Sequence, residues 1–444
     1  MMQILQIGEG NFLRAFAEYY LELAKNNNTF DGSVTICQPR NNTKTINMLK
    51  EQDYKYNILL KGRKNNRIVD ETVMIDCVSS CIDTVGEYDK LVKLFKSSNL
   101  EIVISNTTEA GICFNAEDKI ENSPNVSFPA KVTALLYERY IENSSPLIFL
   151  PVELIDNNGD ELKKCIIKYA KLWALPDAFT EYINSCHFCN TLVDRIVTGH
   201  TEYENDCCAV ACEPYGSWII SADDTAKKKL SALFNKIDDI TYSDNLSAYR
   251  NRKVRILNGA HTMSVLAGYN MGFNIVRDML KDDTINSFIR KGLYDEIIPT
   301  INMPEDVLRA FADSVLERFD NPFIDHKLFD ISLNSVSKFK ARCLGSIIDY
   351  INIFNKAPSA LSFAFAEMIN FYYNRNGYTP NDSESVTSFF SDKHFDIVSD
   401  TLSNADFWDM DLTQVDYLYN EVKKYYDKIV NLGVRKAMEG VCNE

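Results

Sequence analysis

The run Lys253-Val-Arg-Ile-Leu-Asn258-Gly-Ala-His261 sets a long flexible base, a neutral amide and an imidazole within a few residues of one another. It lies in an apolar-periodic segment, roughly Tyr249 to Gly268, whose spacing predicts a helix. On such a helix Lys253 and His261 differ by about 80° around the axis and by about 12 Å along it. Asn258 and His261 are three apart and so are neighbours on one face. Gly259 lowers helix propensity by about 1 kcal/mol, yet it lets another group come close to the backbone. A lysine, an amide and an imidazole facing one region suit a site that handles a carbonyl or an alcohol. The lysine can act as general acid or base if burial or neighbouring cations lower its pKa, and Arg250, Arg252 and Arg255 are close in sequence. The same pattern also fits an amphipathic helix with a solvated basic end and a hydrogen-bonded core histidine.

The elements that must position these residues fall into two halves. Met2 to Ile7 is an apolar run ending at Gly8-Glu-Gly10, and a helical pattern opens at Asn11 and reaches about Lys25. Strand, glycine turn and helix form the first half of a dinucleotide-binding unit, in which the helix start offers free N–H groups to a pyrophosphate. Leu13 stands where the third glycine of the usual fingerprint would be. Ser33 to Gln38 reads as the second strand. It ends in Cys37-Gln-Pro-Arg40 without the acidic residue that selects NAD, so NADP stays open, and Arg40 could favour a 2′-phosphate. Further strands are expected at about 56–60, 67–78, 101–105 and 147–150, with helices at about 88–95, 129–140 and 161–175. Asn106-Thr107-Thr108-Glu109 follows the 101–105 strand, where parallel sheets hold ligands. Asp194-Arg195 reads as a structural ion pair, and Asn190 as an amide that could hold an oxyanion. Glu213 to Ile220 is one more strand.

From about Ser247 the pattern is nearly all helical, over roughly 249–268, 277–301, 304–319, 334–355, 358–374, 384–403 and 411–439. The expected architecture is therefore α/β: a Rossmann-like domain over 1–246 and a mainly α-helical domain over 247–444.

Composition narrows the function. A formal net charge of −15 over 444 residues speaks against a nucleic-acid or anionic-membrane partner, and an anionic substrate would need a local basic pocket. The twelve cysteines and five histidines show no zinc spacing beyond a lone Cys186-x-x-Cys189, so no metal is expected and free thiols in the cytoplasm are. There is neither a signal-peptide pattern nor an apolar run long enough to span a bilayer.

Four motifs in order carry a resemblance: Gly8-Glu-Gly10-Asn11-Phe12-Leu-Arg14, Asn106-Thr107-Thr108-Glu109, Asn190-Thr-Leu-Val-Asp-Arg-Ile196 and Lys253…Asn258…His261. Together they resemble the polyol-specific long-chain dehydrogenase/reductase family, the mannitol dehydrogenase group, over almost the whole chain. Pro151-Val-Glu153-Leu-Ile and Arg318-Phe-x-Asn-Pro-x-x-x-His326 are similar to its uronate-reducing members, where polyol-oxidising ones tend to read Cys-Asp-Asn-Ile in place of the former. The resemblance implies metal-independent, NAD-dependent chemistry on a small keto-uronate by a monomer or homodimer. Carried over, Lys253 would be the general acid/base, Asn190 and Asn258 would stabilise the alkoxide, and His261 would orient substrate hydroxyls. Gly8, Gly10, Asn11, Phe12 and Arg14 would lie along the cofactor, with Asn106, Thr107, Thr108 and Glu109 toward its nicotinamide half. Ser337, Lys338 and Arg342, with Arg318 as a further candidate, would hold the substrate carboxylate. An epimeric keto-uronate or a polyol phosphate are rival substrates, and a silent NAD-binding regulator is the rival from another class.

Overall fold

Apolar runs with no polar face make strands that must be covered on both sides, and the first half of the chain supplies them. The computed structural model describes residues 1–39, 42–108, 110–374 and 379–443. The chain forms two compact units, Met1–Lys61 with Ile68–Leu246, and Gly62–Arg67 with Ser247–Glu444.

The strands of the first unit, in chain order, are β1 Met2–Ile7, β2 Gly32–Gln38, β3 Tyr56–Lys64, β4 Arg67–Ile75, β5 Val78–Asp83, β6 Leu100–Ser105, β7 Ile148–Pro151, β8 His187–Phe188, β9 Asn190–Asp194, β10 Val197–His200, β11 Val210–Cys212, β12 Ser217–Ser221 and β13 Ile240–Tyr242. Six of them make a parallel sheet in the order β5-β2-β1-β6-β7-β8. The order reverses between β1 and β6, and ligands bind such sheets outside the carboxyl ends at that switch point. Side chains alternate along β1. Leu5 and Ile7 join one core with Val103, Leu135 and Phe149, while Ile4 joins the other with Phe16, Ile36 and Trp218. A four-stranded sheet, β10-β11-β3-β4, and a three-stranded sheet, β13-β12-β9, complete the unit.

The second unit is mainly helical, so the whole is the expected α/β architecture of a Rossmann-type sheet followed by a helical region. Its central helix, Ser359–Asn374, is buried on nearly every face and packs against Leu418–Leu432, Gly259–Asn270 and Val434–Asn443. Among the described residues, no helix is long and apolar enough to cross a membrane.

Several elements differ from the sequence expectation, each for a local reason. The segment expected as one helix over 249–268 is the α-helix Leu246–Arg252, a π-helical stretch Lys253–Asn258 and the α-helix Gly259–Asn270. π turns also interrupt 277–301 at Gly292–Ile297 and 334–355 at Lys340–Leu344. A π turn admits one extra residue without breaking the helical path, so apolar periodicity reads through it. The 384–403 segment splits because Asp396 caps a new helix, its carboxylate accepting from the N–H groups of Val398 and Ser399. Gly433, with φ of +83°, ends the helix expected to run through 411–439. The apolar stretch 67–78 is β4 followed by the start of β5, in different sheets. The helix expected from 161 begins at Asn158, and Asp177–Ser185 is a helix the pattern did not announce.

The turn after β1 depends on one glycine. Gly8 has φ of +126°, and a Cβ there would stand 2.9 Å from the Asn106 carbonyl oxygen. Gly8→Ala is therefore expected to destabilise the fold by more than about 1 kcal/mol, since alanine at positive φ is strained and here also clashes. Urea unfolding of the variant measures this, and an unchanged midpoint would contradict it.

Candidate active site

In the first unit the sheet brings two of the sequence motifs side by side. Ile7 pairs with Ser105 at the ends of β1 and β6, so Gly8 and Asn106 leave the sheet together. The Asn106 N–H donates to the Ile7 carbonyl at 3.1 Å, and its side-chain amide donates to the Val152 carbonyl at 2.9 Å. Thr107 is held by Glu153, which accepts from its N–H at 3.0 Å and its hydroxyl at 3.1 Å. Glu153 also accepts from the Ser105 hydroxyl at 3.1 Å, and burial pushes its carboxyl up from the usual range. The Thr108 carbonyl closes a turn onto the Gly111 N–H at 2.7 Å. Glu109 and Arg40 lie outside the described residues.

The glycine turn has an open side and a braced side. A Cβ at Gly10 would meet nothing within 4 Å, which leaves the backbone at the helix start open to a large group. Behind the turn Arg14 is buried. Its guanidinium donates to the Glu9 carbonyl at 3.2 Å, to the Asn11 amide oxygen at 2.6 Å and to the Cys208 carbonyl. Phe12 stacks on Phe16 with centroids 4.9 Å apart. Gln6 ties the Gly8 carbonyl (2.9 Å) to the buried Glu18 (2.6 Å), whose other oxygen takes the Tyr56 hydroxyl at 2.6 Å. Of the residues expected along the cofactor, Gly8 and Gly10 thus shape the turn, while Arg14 holds its shape from behind.

At the end of β2 the buried Gln38 donates to Asp83 at 3.2 Å across the parallel pair β2–β5, and its amide oxygen is buried with no hydrogen-bond partner. An acidic group therefore stands beside the end of β2, supplied by the next strand rather than by β2 itself. Sequence reasoning looked only along β2 and missed it.

Asn190 belongs to the first unit. Its amide donates to the Asp160 carboxylate at 3.0 Å, and its oxygen accepts from the Asp160 N–H at 3.0 Å. Arg195 is buried against Tyr19, 4.2 Å from the ring centroid, and donates to the carbonyls of Ala15 (2.8 Å) and Glu213 (3.1 Å).

In the second unit Lys253 and Asn258 open and close the π turn, both half-buried, and His261 lies one turn on in the buried helix Gly259–Asn270. Two of the arginines near the lysine are engaged elsewhere. Arg255 pairs with Asp349 at 2.6 Å and donates to Thr300, and Arg252 lies over the rings of Phe311 and Tyr249. The π turn Lys340–Leu344 packs against this segment, and a Cβ at Gly259 would already be 3.4 Å from the Arg342 carbonyl oxygen. Arg342 donates to the Thr262 hydroxyl at 3.3 Å.

His261 is 9% exposed and stacks on Phe319, centroids 4.0 Å apart. The His326 ring stands perpendicular to it at 5.2 Å. The Nε2 atom of His261 is buried with no hydrogen-bond partner. Burial first, then the basic groups of His326, Arg318, Arg342 and Lys338, hold its pKa well below the ordinary histidine range. Burial also lowers His326, Lys338 and Arg342. The fold thus gathers Arg318, Lys338 and Arg342 around His261, although Lys338 reaches there from a helix seventy-odd residues later in the chain. Ser337 does not join them: it is exposed, and its hydroxyl donates to the Asn334 carbonyl at 3.1 Å. Phe319 and His326 are the members not anticipated, and the Arg318-Phe-x-Asn-Pro-x-x-x-His326 motif was the signal for them. Among the described residues, no three His, Cys, Asp or Glu side chains are grouped to hold a metal.

Comparisons with known proteins agree over the full length. The mannitol dehydrogenase Rossmann domain matches residues 2–232, and the mannitol dehydrogenase C-terminal domain matches 245–430. An altronate oxidoreductase of Bacillus subtilis (strain 168) is 37% identical, with 99% of this chain and 95% of the relative covered. One from Escherichia coli O1:K1 / APEC is 35% identical over 99% and 97%. Of solved structures, Pseudomonas fluorescens mannitol 2-dehydrogenase in a ternary complex with NAD and D-mannitol is 19% identical, with a TM-score of 0.69 over 100% of this chain and 94% of that one. Substrate-free D-sorbitol dehydrogenase is 18% identical, with a TM-score of 0.83 over 98% and 94%. At these identities the two structures speak to the fold alone.

A neutral buried histidine has a stability signature. The folded pKa of His261 lies below the unfolded value of about 6.5, so the unfolded chain binds the extra proton. Its contribution is present above about pH 6.5 and is lost as pH falls through that range. His261→Phe should flatten the fall in unfolding free energy between about pH 7 and pH 5. The same slope in variant and wild type would contradict a neutral His261.

Proposed function

The chain belongs to the mannitol dehydrogenase family, and on that footing we propose that it reduces the ketone of an open-chain hexuronate with NADH, converting D-tagaturonate to D-altronate in hexuronate catabolism. The observation that carries the substrate class is the basic cluster around His261, buried Arg318 with half-buried Lys338 and Arg342, in a chain whose net charge is −15. A local concentration of cations in an acidic protein suits an anionic substrate, and a carboxylate forms strong charge-assisted hydrogen bonds with lysine and arginine. The name of the full-length relatives, altronate oxidoreductase, agrees with that chemistry.

The first unit suits a dinucleotide. The open backbone at Gly10, the turn shaped by Gly8 and the switch point between β1 and β6 are the features a pyrophosphate needs. NAD is the better match of the two cofactors, because the Asp83 carboxylate beside the end of β2 favours a ribose diol and repels a 2′-phosphate. When bound, the reduced nicotinamide supplies the hydride.

The remaining chemistry falls to the chain's own side chains. Lys253 gives a proton to the reacting oxygen and takes it back in the reverse reaction. The Asn258 amide donates to the same oxygen as charge develops on it. His261, kept neutral, offers a hydrogen bond to a substrate hydroxyl without adding charge. In an open-chain hexuronate the carboxylate ends the chain, several carbons from the ketone, so separate groups must hold the two. Lys338 and Arg342 take the carboxylate, with Arg318 behind them. Asn190 would first have to leave Asp160 to serve as an alkoxide donor, so Asn258 carries that role.

Following NADH oxidation at 340 nm with D-tagaturonate, D-fructuronate and D-fructose tests the reading. Turnover preferring D-tagaturonate is expected, and turnover restricted to D-fructose would overturn the uronate assignment. Lys253→Ala should abolish turnover, and Asn258→Ala should lower kcat by about 10²–10³, as loss of an oxyanion donor does. Lys338→Ala and Arg342→Ala should raise KM for the uronate far more than they change kcat. An unchanged KM in both would remove them from the carboxylate site.

A further inference from the structure

The proposed mechanism leaves His326 without a role, yet the chain goes to some length to mount it. Arg318 and Phe319 close the helix Glu305–Phe319, and the loop that follows brings His326 back to the same imidazole they surround. That loop is tied down at every step. The Asn321 side chain is buried and accepts from the Phe323 N–H at 2.9 Å. Arg277 donates to the Asn321 carbonyl at 3.0 Å. The His326 carbonyl accepts from the Val276 N–H at 2.9 Å, the Leu328 N–H donates to the Asn274 carbonyl at 2.9 Å, and Ile275 and Lys327 form an antiparallel bridge between them. A half-buried imidazole on so fixed a backbone, edge to face with His261, is a preorganised group.

We infer that His326 is a specificity-determining residue: it stands beside His261 as a second imidazole at the carboxylate end of the substrate, and it gains a proton from solvent as the carboxylate binds. This rests on the hexuronate reading above and adds the group that distinguishes a charged end from a neutral one.

The electrostatics lead there directly. The charged groups that act on the pair among the described residues include Arg318 from the helix Glu305–Phe319, Lys338 from the helix Ser335–Phe339 and Arg342 from the π turn Lys340–Leu344 on His261, and Asp330 from the helix Leu328–Ser332 on His326; Asp325, beside His326 in the chain, is paired with Arg277. Burial opposes a proton on both rings, and the three permanent cations add to that at His261. A carboxylate arriving among them offsets part of that positive charge, and an opposite charge within about 4–6 Å favours the protonated form. His326 is the ring that responds. It is less buried than His261, and Asp330 already favours its charged form. His261, by contrast, is enclosed against Phe319. The protonated ring then adds a charge-assisted hydrogen bond to the carboxylate. A ketose or polyol with a neutral end brings no charge and draws no proton, so the same pocket holds it less well.

The test is calorimetric titration of D-altronate into the cofactor-free protein at about pH 7.5, in two buffers of different ionisation enthalpy, with wild type, His326→Gln and His326→Asn. The wild type should take up a substantial fraction of one proton per altronate bound, and both variants close to none. In steady-state assays the ratio of kcat/KM for D-tagaturonate to that for D-fructose should fall about tenfold or more in both variants, as expected when a charged pairing is lost. Proton uptake that persists in the variants, or an unchanged substrate ratio, would reduce His326 to a packing residue. Melting temperatures close to wild type in either amide variant keep a folding defect from mimicking the result. A wild type that binds D-altronate without proton uptake would overturn the assignment of His326 while leaving the hexuronate reading standing. A wild type that neither binds D-altronate nor reduces a keto-uronate would overturn both.

Discussion

Like charges held together away from water repel one another, and the second unit is built around accepting that cost. Arg318, Lys338 and Arg342 converge on His261 from three separate elements, and the imidazole is too buried to add a fourth charge. Two of the cations are anchored in neutral groups: Lys338 donates to the Ile331 carbonyl at 2.8 Å, and Arg342 donates to Thr262. Arg255, by contrast, is neutralised by Asp349 at 2.6 Å.

The scaffold keeps those cations close by means of its π turns. Lys253–Asn258 and Lys340–Leu344 pack on each other, and each turn carries a residue assigned to chemistry or to substrate. An extra residue in a helical turn re-aims the side chains that follow it, and such turns are common at functional sites. Gly259, at the end of the first, leaves room for the backbone of the second to approach. In the first unit one close approach does comparable work. Gly8 and Asn106 leave neighbouring strands at the switch point, and buried polar groups behind them, Arg14, Glu18 and Glu153, fix the turn and the strand end.

Much of this was legible in the sequence, and the parts that were not share a physical cause. Motifs contained within one element read well. The glycine turn after β1, the Asn106-Thr107 strand end and the helical second half all follow from local spacing. Spacing could not reveal the π turns, because apolar periodicity survives an inserted residue; the predicted 80° between Lys253 and His261 therefore assumed a regular helix that is not there. Contacts between elements were equally hidden. Asp83 faces the end of β2 only because β5 is its parallel neighbour, and His326 meets His261 only through a loop braced against 274–276. Side-chain direction was hidden too. Arg14 turns behind the glycine turn, Asn190 turns to Asp160, and Ser337 faces solvent.

On the function proposed above, one cluster in the second unit reads both ends of a hexuronate: a proton donor at the ketone and a basic pocket at the carboxylate. A crystal structure of the protein with NAD and D-altronate tests it most directly. The carboxylate should lie within hydrogen-bond reach, about 3 Å, of Lys338 or Arg342, and a secondary hydroxyl at the same reach from the Lys253 amine. A sugar bound with its carboxylate turned away from that cluster, or with Lys253 beyond reach of any of its oxygens, would contradict it.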